Sequence, residues 1–448
     1  MTDAETAPAA LPRRVTAGFA AGSLGTGGFG VLPGLVLAYY LTDTLAVSAL
    51  LAAAVVVIPK LVDVLINPII GARNDRAFAA TGTRTRLMWT GTVTIVPLFI
   101  LTFCAPTGLP PVVAALWVLF FFTAAAVAYA CFQVPYVALP TDLTRDYHAR
   151  TRLISARIAV LALAILLIGA GAPAIRNALG GGALGYAVMA AGSVAVIACG
   201  MAVSTSIAGA AARRPPAAVV APLPQVDGRE AFRAARRHRH YRILLSVFVI
   251  QALASAVMLA GAQYLATYVL DDPDALTPLF VALVAPALLV MPLWVRVGRR
   301  FGKLRGLFVA SGVFLLADLI LAVAISAPGP WVFAVVALTG VGYAGMQTFP
   351  LAMLPDVIDE HTSETGRDQG GALAGLWTAG ETLGMAVGPG VYLLVLAATG
   401  FVSSSADTVA DQPRSAVVGI TAGFSLLPAV LVAISMVILT RYHRKAPR

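Results

Sequence analysis

The sequence predicts an all-α membrane protein with twelve transmembrane helices, and three observations support this prediction. The chain of 448 residues is 59% hydrophobic and only 12% charged, about half the charged fraction of an ordinary soluble domain. Apolar runs of about 20 residues recur, each long enough to cross a ~30 Å hydrocarbon core as a helix. Basic residues gather in alternate loops. The predicted spans are 15–41, 49–71, 87–105, 111–139, 155–176, 184–208, 242–270, 277–296, 306–326, 331–354, 371–400 and 415–440.

The basic residues predict the orientation of the chain. With a cytoplasmic N-terminus, 28 of the 31 Lys and Arg residues fall in cytoplasmic segments, and the exceptions are Lys60, Arg176 and Arg414. This excess predicts that both termini are cytoplasmic. We therefore interpret the net charge of +10 as a topology signal and expect no nucleic-acid partner. The predicted surroundings are the bilayer of the cell (inner) membrane, crossed many times.

The longest interior polar stretch divides the helices six and six. It contains several prolines and a basic run, which suit a linker better than a span. The predicted domains are a cytoplasmic tail (1–14), an N-terminal six-helix bundle (15–208), a cytoplasmic linker (209–241), a C-terminal six-helix bundle (242–440) and a cytoplasmic tail (441–448).

Two features repeat across this divide. The second span is followed by a loop with the sequence GARNDR at 71–76, and the eighth by GRRFGK at 298–303. The fourth and tenth spans end in two prolines five residues apart and then an aspartate, at 135–142 and 350–356. A parallel repeat of six helices is the organisation of the major facilitator fold, in which substrate binds between the halves near the membrane midplane. The sequence therefore predicts that fold.

Further motifs occur in order along the chain at helix ends and within helices. They are 39–43 (YYLTD), 60–71 (KLVDVLINPIIG), 134–136 (VPY), 146–157 (DYHARTRLISAR), 354–360 (LPDVIDE), 365–367 (TGR), Trp377 with Thr378, and Leu383 with Gly384. Together these resemble the glycoside–pentoside–hexuronide:cation symporter family, which includes the melibiose carrier. The resemblance implies a secondary transporter of the major facilitator superfamily.

The chain departs from that family at positions the resemblance links to cation and sugar. Sodium-coupled members carry two acidic residues one turn apart on helix 2, where this chain has Asp63 and Asn67. The sugar-binding carboxylates of galactoside carriers match Gly27 and Gln133. A common lysine of helix 11 matches Thr382. The resemblance therefore leaves the coupling ion and the sugar specificity open.

A polar group on helix 2 predicts the cation-coupling site. Lys60, Asp63 and Asn67 follow an i, i+3, i+7 spacing, which places them on one helix face. A charge at the bilayer centre costs at least about 2.5–3.5 kcal/mol, so retention of Asp63 indicates a role. Because Asn67 removes one anionic ligand, we expect proton coupling rather than sodium coupling. The alternatives are sodium coupling, uncoupled exchange, or a static Lys60–Asp63 pair that only orients the helix.

Polar side chains on four other helices are the predicted substrate contacts. Glu381 lies about ten residues into helix 11, hence about 15 Å deep. Tyr129 and Gln133 share a face of helix 4 at i and i+4. The alternative is that these groups only hydrogen-bond between helices. The full predicted set is Tyr129, Gln133, Arg157, Gln263, Trp377, Glu381 and Thr382.

Charged residues near the cytoplasmic ends of helices form the predicted gate. Pairs between them would close the inner side and still break, since exposed pairs contribute up to about 1 kcal/mol each. The alternative is a solvated loop surface. The predicted gating residues are Asp75, Arg76, Asp142, Asp146, Asp356 and Arg367.

These features predict a secondary active transporter that moves a small organic solute by alternating access. The leading interpretation is symport of a sugar-like or other polar solute with a cation. The alternative is a proton-coupled exporter of a drug, natural product or lipid-like compound. An enzyme is not expected, because the sequence has no metal-ligand, Ser/His/Asp or nucleotide-loop pattern. We expect a monomer with no cofactor and no bound metal beyond its coupling ion, H⁺ or Na⁺.

Overall fold

The computed structural model describes residues 11–106, 108–144, 146–213, 236, 238–365, 370–405 and 410–442. Twelve helices in these segments are long and apolar enough to cross a membrane, which confirms the predicted number. The helices are α1 (Arg13–Leu37), α2 (Ala49–Thr81), α3 (Thr85–Thr102), α4 (Pro111–Leu143), α5 (Tyr147–Ala178), α6 (Ala183–Gly209), α7 (Arg239–Tyr268), α8 (Leu276–Phe301), α9 (Lys303–Leu321), α10 (Trp331–Thr365), α11 (Gly370–Ala398) and α12 (Arg414–Leu439). A β-bridge also joins Leu45 to Ser405.

Three helices extend well past the predicted ends of their spans. The segment 71–76 was expected to be a loop, and this expectation was wrong, because α2 continues through it to Thr81. Helices α4 and α10 likewise continue to Leu143 and Thr365. The end of an apolar run marks where the membrane ends. Polar residues of good helix propensity, such as Arg73 and Arg76, then carry the helix on into water.

The first helix is irregular because of its glycine and proline content. It bends at Gly22 and widens to a π-turn over Pro33–Leu37. Pro33 has no backbone N–H, so a regular hydrogen bond is lost there. A second π-turn, Tyr40–Thr44, continues the chain beyond α1.

The turns after α2 and α8 both begin with a glycine in the left-handed region of φ. Gly82 begins the first turn with φ of 67°, and Gly302 begins the second with φ of 90°. An L-residue with a side chain rarely adopts such angles, whereas glycine does so at little cost. The first turn is followed by Arg84 and the second by Lys303, so the two halves repeat at the level of backbone geometry as well as sequence.

Residue contacts divide the chain into two compact units. Unit 1 comprises 1–33, 62–109 and 116–223, and unit 2 comprises 34–61, 110–115 and 224–448. In unit 1 the first part of α1 packs on α5 and α6. In unit 2 helix α7 packs on α11 and α12, and α10 packs on α8 and α9.

Glycines allow α11 to approach α7 closely in unit 2. A Cβ on Gly388 would lie 2.4 Å from the Cβ of Ala256, and one on Gly384 would lie 2.8 Å from the backbone oxygen of Val249. Both distances are too short for real contacts. The absence of a side chain at these two positions is therefore what permits the close contact of α11 with α7.

Candidate functional site

The three predicted cation-coupling residues lie along α2. Lys60, Asp63 and Asn67 are each half-buried, and helical spacing keeps them on one side of α2. The side-chain oxygen of Asn67 is buried and has no hydrogen-bond partner among the described residues. An amide oxygen in that situation is an available ligand for a cation or for a polar solute.

Unit 1 brings Asp63 together with two predicted substrate residues. The Asp63 carboxylate and the Arg157 guanidinium are both close enough to act electrostatically on the hydroxyl group of Tyr129. The Tyr129 ring stacks on Phe29, with ring centroids 4.4 Å apart and an interplanar angle of 18°. Helices α1, α2, α4 and α5 therefore contribute to one polar cluster inside the unit.

Gln133 belongs to the same polar cluster as Tyr129. Thr26 of α1 donates a hydrogen bond from its hydroxyl group to Oε1 of Gln133, at 2.9 Å. Because the Oε1 atom accepts this bond, the Gln133 amide group points its NH₂ donors elsewhere. Tyr129 and Gln133 both contact α1 from one face of α4, and their contact with a substrate stays a prediction. Thr26 is a member of the site that the sequence analysis did not identify.

Arg157 is held beside an aromatic ring. Its guanidinium carbon lies 5.4 Å from the ring centroid of Tyr136, and Tyr136 in turn donates to the backbone oxygen of Phe19 at 2.9 Å and bonds to Ser23 at 3.0 Å. The Nε atom of Arg157 is buried without a hydrogen-bond partner in the described part of the chain. A guanidinium with an unused donor suits a carboxylate, hydroxyl or carbonyl group of a solute.

Gly27, which the resemblance matches to a sugar-binding carboxylate, is a packing position. A Cβ there would lie 2.8 Å from the Cβ of Ala164 and 3.1 Å from the backbone oxygen of Leu161 on α5. This leaves no space for a carboxylate side chain. The absence of an acidic residue at Gly27 is therefore a consequence of the close approach of α1 and α5.

In unit 2 the polar membrane residues of α11 are Glu381 and Thr382, both half-buried. Glu381 is close enough to Tyr343 of α10 to act on it electrostatically. The Tyr343 hydroxyl accepts a hydrogen bond from Gln347 at 3.2 Å. Thr382 donates to the backbone oxygen of Thr378 at 2.9 Å, as threonines do inside apolar helices. A carboxylate, a phenol and an amide thus face one region of unit 2.

Trp377 and Gln263 lie inside the packing of unit 2. Trp377 is 2% exposed and stacks on Phe248 at 4.5 Å, and Gln263 is 0% exposed. The Gln263 amide donates to Thr267 at 3.0 Å. In this conformation neither residue offers surface to a solute, and their assignment to the substrate site stays a prediction.

The predicted gating residues Asp75 and Asp142 share one partner, Arg84. Arg84 donates from Nη1 to Asp75 at 2.8 Å and from Nε to Asp142 at 2.7 Å. This side chain is only 10% exposed, and its guanidinium also covers the ring of Phe78 at 4.3 Å. The arginine thereby ties the α2–α3 turn to the end of α4. Local sequence spacing gave no indication of the two partners of Arg84.

The second half contains the equivalent pair. Lys303, just after the α8–α9 turn, donates to Asp356 of α10 at 2.8 Å and to the backbone oxygen of Ala352 at 2.8 Å. Asp356 follows the second proline of its repeat, as Asp142 does, although α10 continues nine residues beyond Asp356 and α4 ends at Leu143. The two halves therefore use one device, a basic residue after the turn paired with an aspartate.

The remaining gating predictions fall elsewhere. Arg76 is exposed and donates to the backbone oxygen of Ala72 in its own helix. Asp146 caps α5 by accepting from the backbone N–H of Ala149 at 2.7 Å, a structural role that its sequence position also suits. Arg367 lies outside the described residues.

The sequence analysis missed a polar cluster at the end of α1. Asp43 is 8% exposed and accepts hydrogen bonds from Tyr268 of α7 and from its neighbour Thr42. Thr42 also bonds to Tyr264 at 2.7 Å, and Tyr268 to Ser404 at 3.3 Å. A carboxylate closely following an apolar span was the available signal, but nothing local identified its partners.

The chain was compared with known proteins. The family model "MFS/sugar transport protein" matches residues 18–444. An uncharacterized symporter of Synechocystis is 34% identical over 149 residues, which are 31% of this chain and 27% of that relative. The chain thus aligns with about a quarter of that relative's length. A putative glycoside/cation symporter of Escherichia coli is 24% identical over 91% of this chain and 86% of its own length.

Solved structures agree on the fold. The nucleoside transporter NupG superimposes with a TM-score of 0.65 at 13% identity, covering 96% of this chain and 98% of that one. At this identity the likeness concerns the fold alone. The predicted twelve-helix major facilitator fold is confirmed, and the family match supports the expectation of a multi-pass membrane transporter rather than an enzyme.

Proposed function

The chain belongs to the MFS/sugar transport protein family, and from that premise we propose that it is a cation-coupled symporter of a small polar organic solute. Transport proceeds by alternating access, with the coupling cation at Asp63 and the solute beside Arg157, Tyr129 and Gln133. The protein works as a monomer in the cell membrane, with both termini in the cytoplasm, as the distribution of basic residues suggests.

The observation that carries this proposal is the cluster around Tyr129. A carboxylate and a guanidinium act on one phenol inside membrane-spanning helices, where unpaired charge is expensive. Solute and cation that meet there would each change the electrostatic environment of the other. Coupling requires such a mutual effect, because the binding of one ligand must favour the conformational state that binds the other ligand.

Proton coupling is favoured over sodium coupling. Sodium prefers several oxygen ligands and negative charge, but α2 supplies one carboxylate, one amide and one ammonium group. A single carboxylate suffices for a proton, because protonation neutralises it without further ligands. The putative glycoside/cation symporter in the comparisons leaves the choice of ion open.

A polar solute with hydroxyl or carboxyl groups fits the donors of the cluster. The Arg157 guanidinium, the Gln133 amide and the Tyr129 phenol are donors that bind such groups directly. The half-buried aromatic ring of Tyr129 suits the apolar face of a sugar ring. A glycoside or another sugar-like compound is therefore the substrate class we propose.

The proposed cycle also needs the Asp43 cluster to open. Asp43 and Thr42 lie just beyond α1, and Tyr264 and Tyr268 lie on α7. In alternating access the helices of the two six-helix halves separate on one side at a time. We propose that these hydrogen bonds form when that end of the protein closes and break when it opens.

The experiment that tests the function is uptake into proteoliposomes. Purified protein is first screened for thermal stabilisation by sugars, glycosides, sugar acids and cationic drugs, since a ligand at 100 times its Kd stabilises by about 2.7 kcal/mol. The stabilising compound is then offered under an inward proton gradient, an inward sodium gradient or neither. Accumulation with the proton gradient alone supports the proposal. Stabilisation only by cationic or apolar drugs would favour an exporter if these drugs also accumulate in exchange for protons that leave the vesicle.

A further inference from the structure

A groove of about 400 Å³ lies between the start of α7 and the end of α12, both in unit 2. It is separate from every residue discussed above. Its lining residues come from the first two turns of α7 and from the end of α12 and the residues just after it, and they combine three arginines with a hydroxyl and two aliphatic side chains. They are Arg239, Arg242, Ile243, Ser246, Ile438 and Arg441.

Among the residues that the structure describes, the three arginines of the groove have no acidic partner. Arg239 and Arg242 are one turn apart on α7 and both are exposed. Arg239 donates to the backbone oxygen of Arg441 at 3.4 Å, and Arg242 donates to that of Arg236 at 2.9 Å. Within the described residues no carboxylate lines the groove, and the ion pairs found there involve other residues. Most of the fifteen or so guanidinium N–H donors therefore remain available for an anion.

The inner part of the groove is apolar. Ile243 is 8% exposed and forms the floor with Ile438. One turn deeper along α12, Ile434 and Val437 are 47% and 61% exposed on a membrane-spanning helix. Exposed aliphatic side chains of a membrane-spanning helix therefore continue along α12 from the charged groups of the groove. A free phosphate would use only the first part of this surface.

We propose that the groove binds an anionic phospholipid, with its phosphate held by Arg239, Arg242 and Arg441 and its acyl chains against α7 and α12. Guanidinium groups match phosphate oxygens in pairs of parallel hydrogen bonds. Basic pockets between transmembrane helices at the cytoplasmic boundary have the charge and depth that anionic headgroups require. Ser246 adds a hydroxyl donor one turn below Arg242. A bound lipid would contact both α7 and α12, and its negative charge would neutralise the repulsion between the three arginines.

The test measures lipid binding by the purified full-length chain in detergent. Thermal unfolding is followed while phosphatidylglycerol, phosphatidylcholine or inorganic phosphate is added, and bound lipids are counted by native mass spectrometry. We expect saturable stabilisation by phosphatidylglycerol, with little effect of phosphatidylcholine or phosphate. Equal stabilisation by inorganic phosphate would overturn the proposal of a lipid and indicate a site for a free phosphate group.

Variants decide whether the groove is the site. Each arginine near an anionic headgroup contributes about fivefold in affinity, so R239Q/R242Q/R441Q should weaken phosphatidylglycerol binding about a hundredfold. The control R299Q/R300Q/R305Q removes the same charge from exposed positions at the α8–α9 turn, and should leave the affinity within about threefold of the wild type. An equal loss in both variants would show that general surface charge, and not the groove, attracts the lipid.

A second variant keeps all three charges. Ser246→Phe fills the groove from the side of α7, so it should weaken phosphatidylglycerol binding while leaving the arginines in place. If the triple variant does not fold, this substitution alone decides the matter. Unchanged lipid binding by the Ser246→Phe protein would contradict the proposed location.

Discussion

The phenolic hydroxyl of Tyr268 donates a hydrogen bond to the carboxylate of Asp43, which is 8% exposed. The two residues are 225 positions apart in sequence. Hydrogen bonds to charged groups contribute more than neutral ones, about 1.5–3 kcal/mol, and burial raises the cost of losing them. This bond therefore fixes the segment that follows α1 against α7 in unit 2.

Tyr268→Phe should lower the free energy of unfolding by about 1.5–3 kcal/mol, because it leaves the buried Asp43 with one donor fewer. The matched control is Tyr392→Phe, which removes a longer bond, 3.3 Å, to the backbone oxygen of Ile420. That substitution should cost about 0.5–1.5 kcal/mol. Thermal unfolding of both variants in the same detergent compares them, and an equal or larger loss for Tyr392→Phe would contradict the importance of the Asp43 bond.

The two basic residues that follow the glycine turns should differ in their contribution to stability. Arg84 is 10% exposed and holds two carboxylates, whereas Lys303 is 43% exposed and holds one. Arg84→Gln leaves Asp75 and Asp142 without their shared partner, so we expect a loss of about 2–4 kcal/mol. Lys303→Gln should cost about 1 kcal/mol or less because solvent screens its pair.

The variant Arg84→Lys tests whether positive charge alone stabilises the contact with Asp75 and Asp142, or whether the shape of the guanidinium group is also required. A lysine keeps the positive charge but cannot form the two-branched contact with both aspartates. It should recover only part of the stability lost in Arg84→Gln. Full recovery, measured by denaturation at low and high salt, would show that charge alone matters at this position.

The close contact of α11 with α7 predicts that even a methyl group at Gly388 is harmful. Gly388→Ala would place its Cβ 2.4 Å from that of Ala256 and 2.8 Å from the Ala256 backbone carbon, and such overpacking costs about 1–3 kcal/mol. Gly375 on the same helix has no atom within 4 Å of an added Cβ. Gly375→Ala should therefore be neutral or stabilising by up to about 1 kcal/mol. Thermal unfolding of the two variants tests this, and equal destabilisation would contradict the packing described.

His238 predicts a pH dependence of stability. The residue precedes α7 and caps it, with Nδ1 accepting from the backbone N–H of Tyr241 at 3.2 Å. Burial lowers the pKa of His238 below its ordinary value of 6.5, although the carboxylates of Glu360 and Glu364 oppose this shift, and His361 and His240 reinforce it. The unfolded chain therefore binds this proton more readily than the folded one, so stability falls as pH drops from about 6.5 through the lowered pKa.

His238→Asn keeps a capping oxygen and removes the titration. The difference in free energy of unfolding between wild type and variant should change over that pH window and stay constant above it. Denaturation curves between about pH 5 and about pH 8 measure this difference. Parallel pH profiles for the two proteins would show that His238 does not titrate with folding.

Much of the fold was predictable from the sequence because the membrane imposes a simple rule on it. Each crossing needs a long apolar helix, so twelve apolar runs gave twelve helices. The ends of α2 and α10 could not be predicted from hydropathy, because hydropathy marks only the edge of the membrane. Residues of good helix propensity continue both helices beyond that edge. The actual end of α2 depends on Gly82 and its positive φ.

The site was predictable where its members share a helix. Tyr129 and Gln133 were placed on one face by their spacing, and the structure shows both in contact with α1. Partners on distant segments were not predictable in this way. Arg84 joins Asp142 across 58 residues, and Thr42 joins Tyr264 across 222, so each of these pairs depends on the tertiary packing of the helices.

In the proposed mechanism, Asp63 couples the movement of solute to that of a proton. The most direct test is Asp63→Asn in proteoliposomes, with Asp274→Asn, an exposed carboxylate in the turn before α8, as the matched control. We predict that the Asp63→Asn protein loses accumulation driven by a proton gradient but still exchanges labelled for unlabelled solute, because binding and alternating access persist without the titrating group. The Asp274→Asn protein should accumulate solute like the wild type. Accumulation by Asp63→Asn at the wild-type level would remove Asp63 from the mechanism and contradict the account.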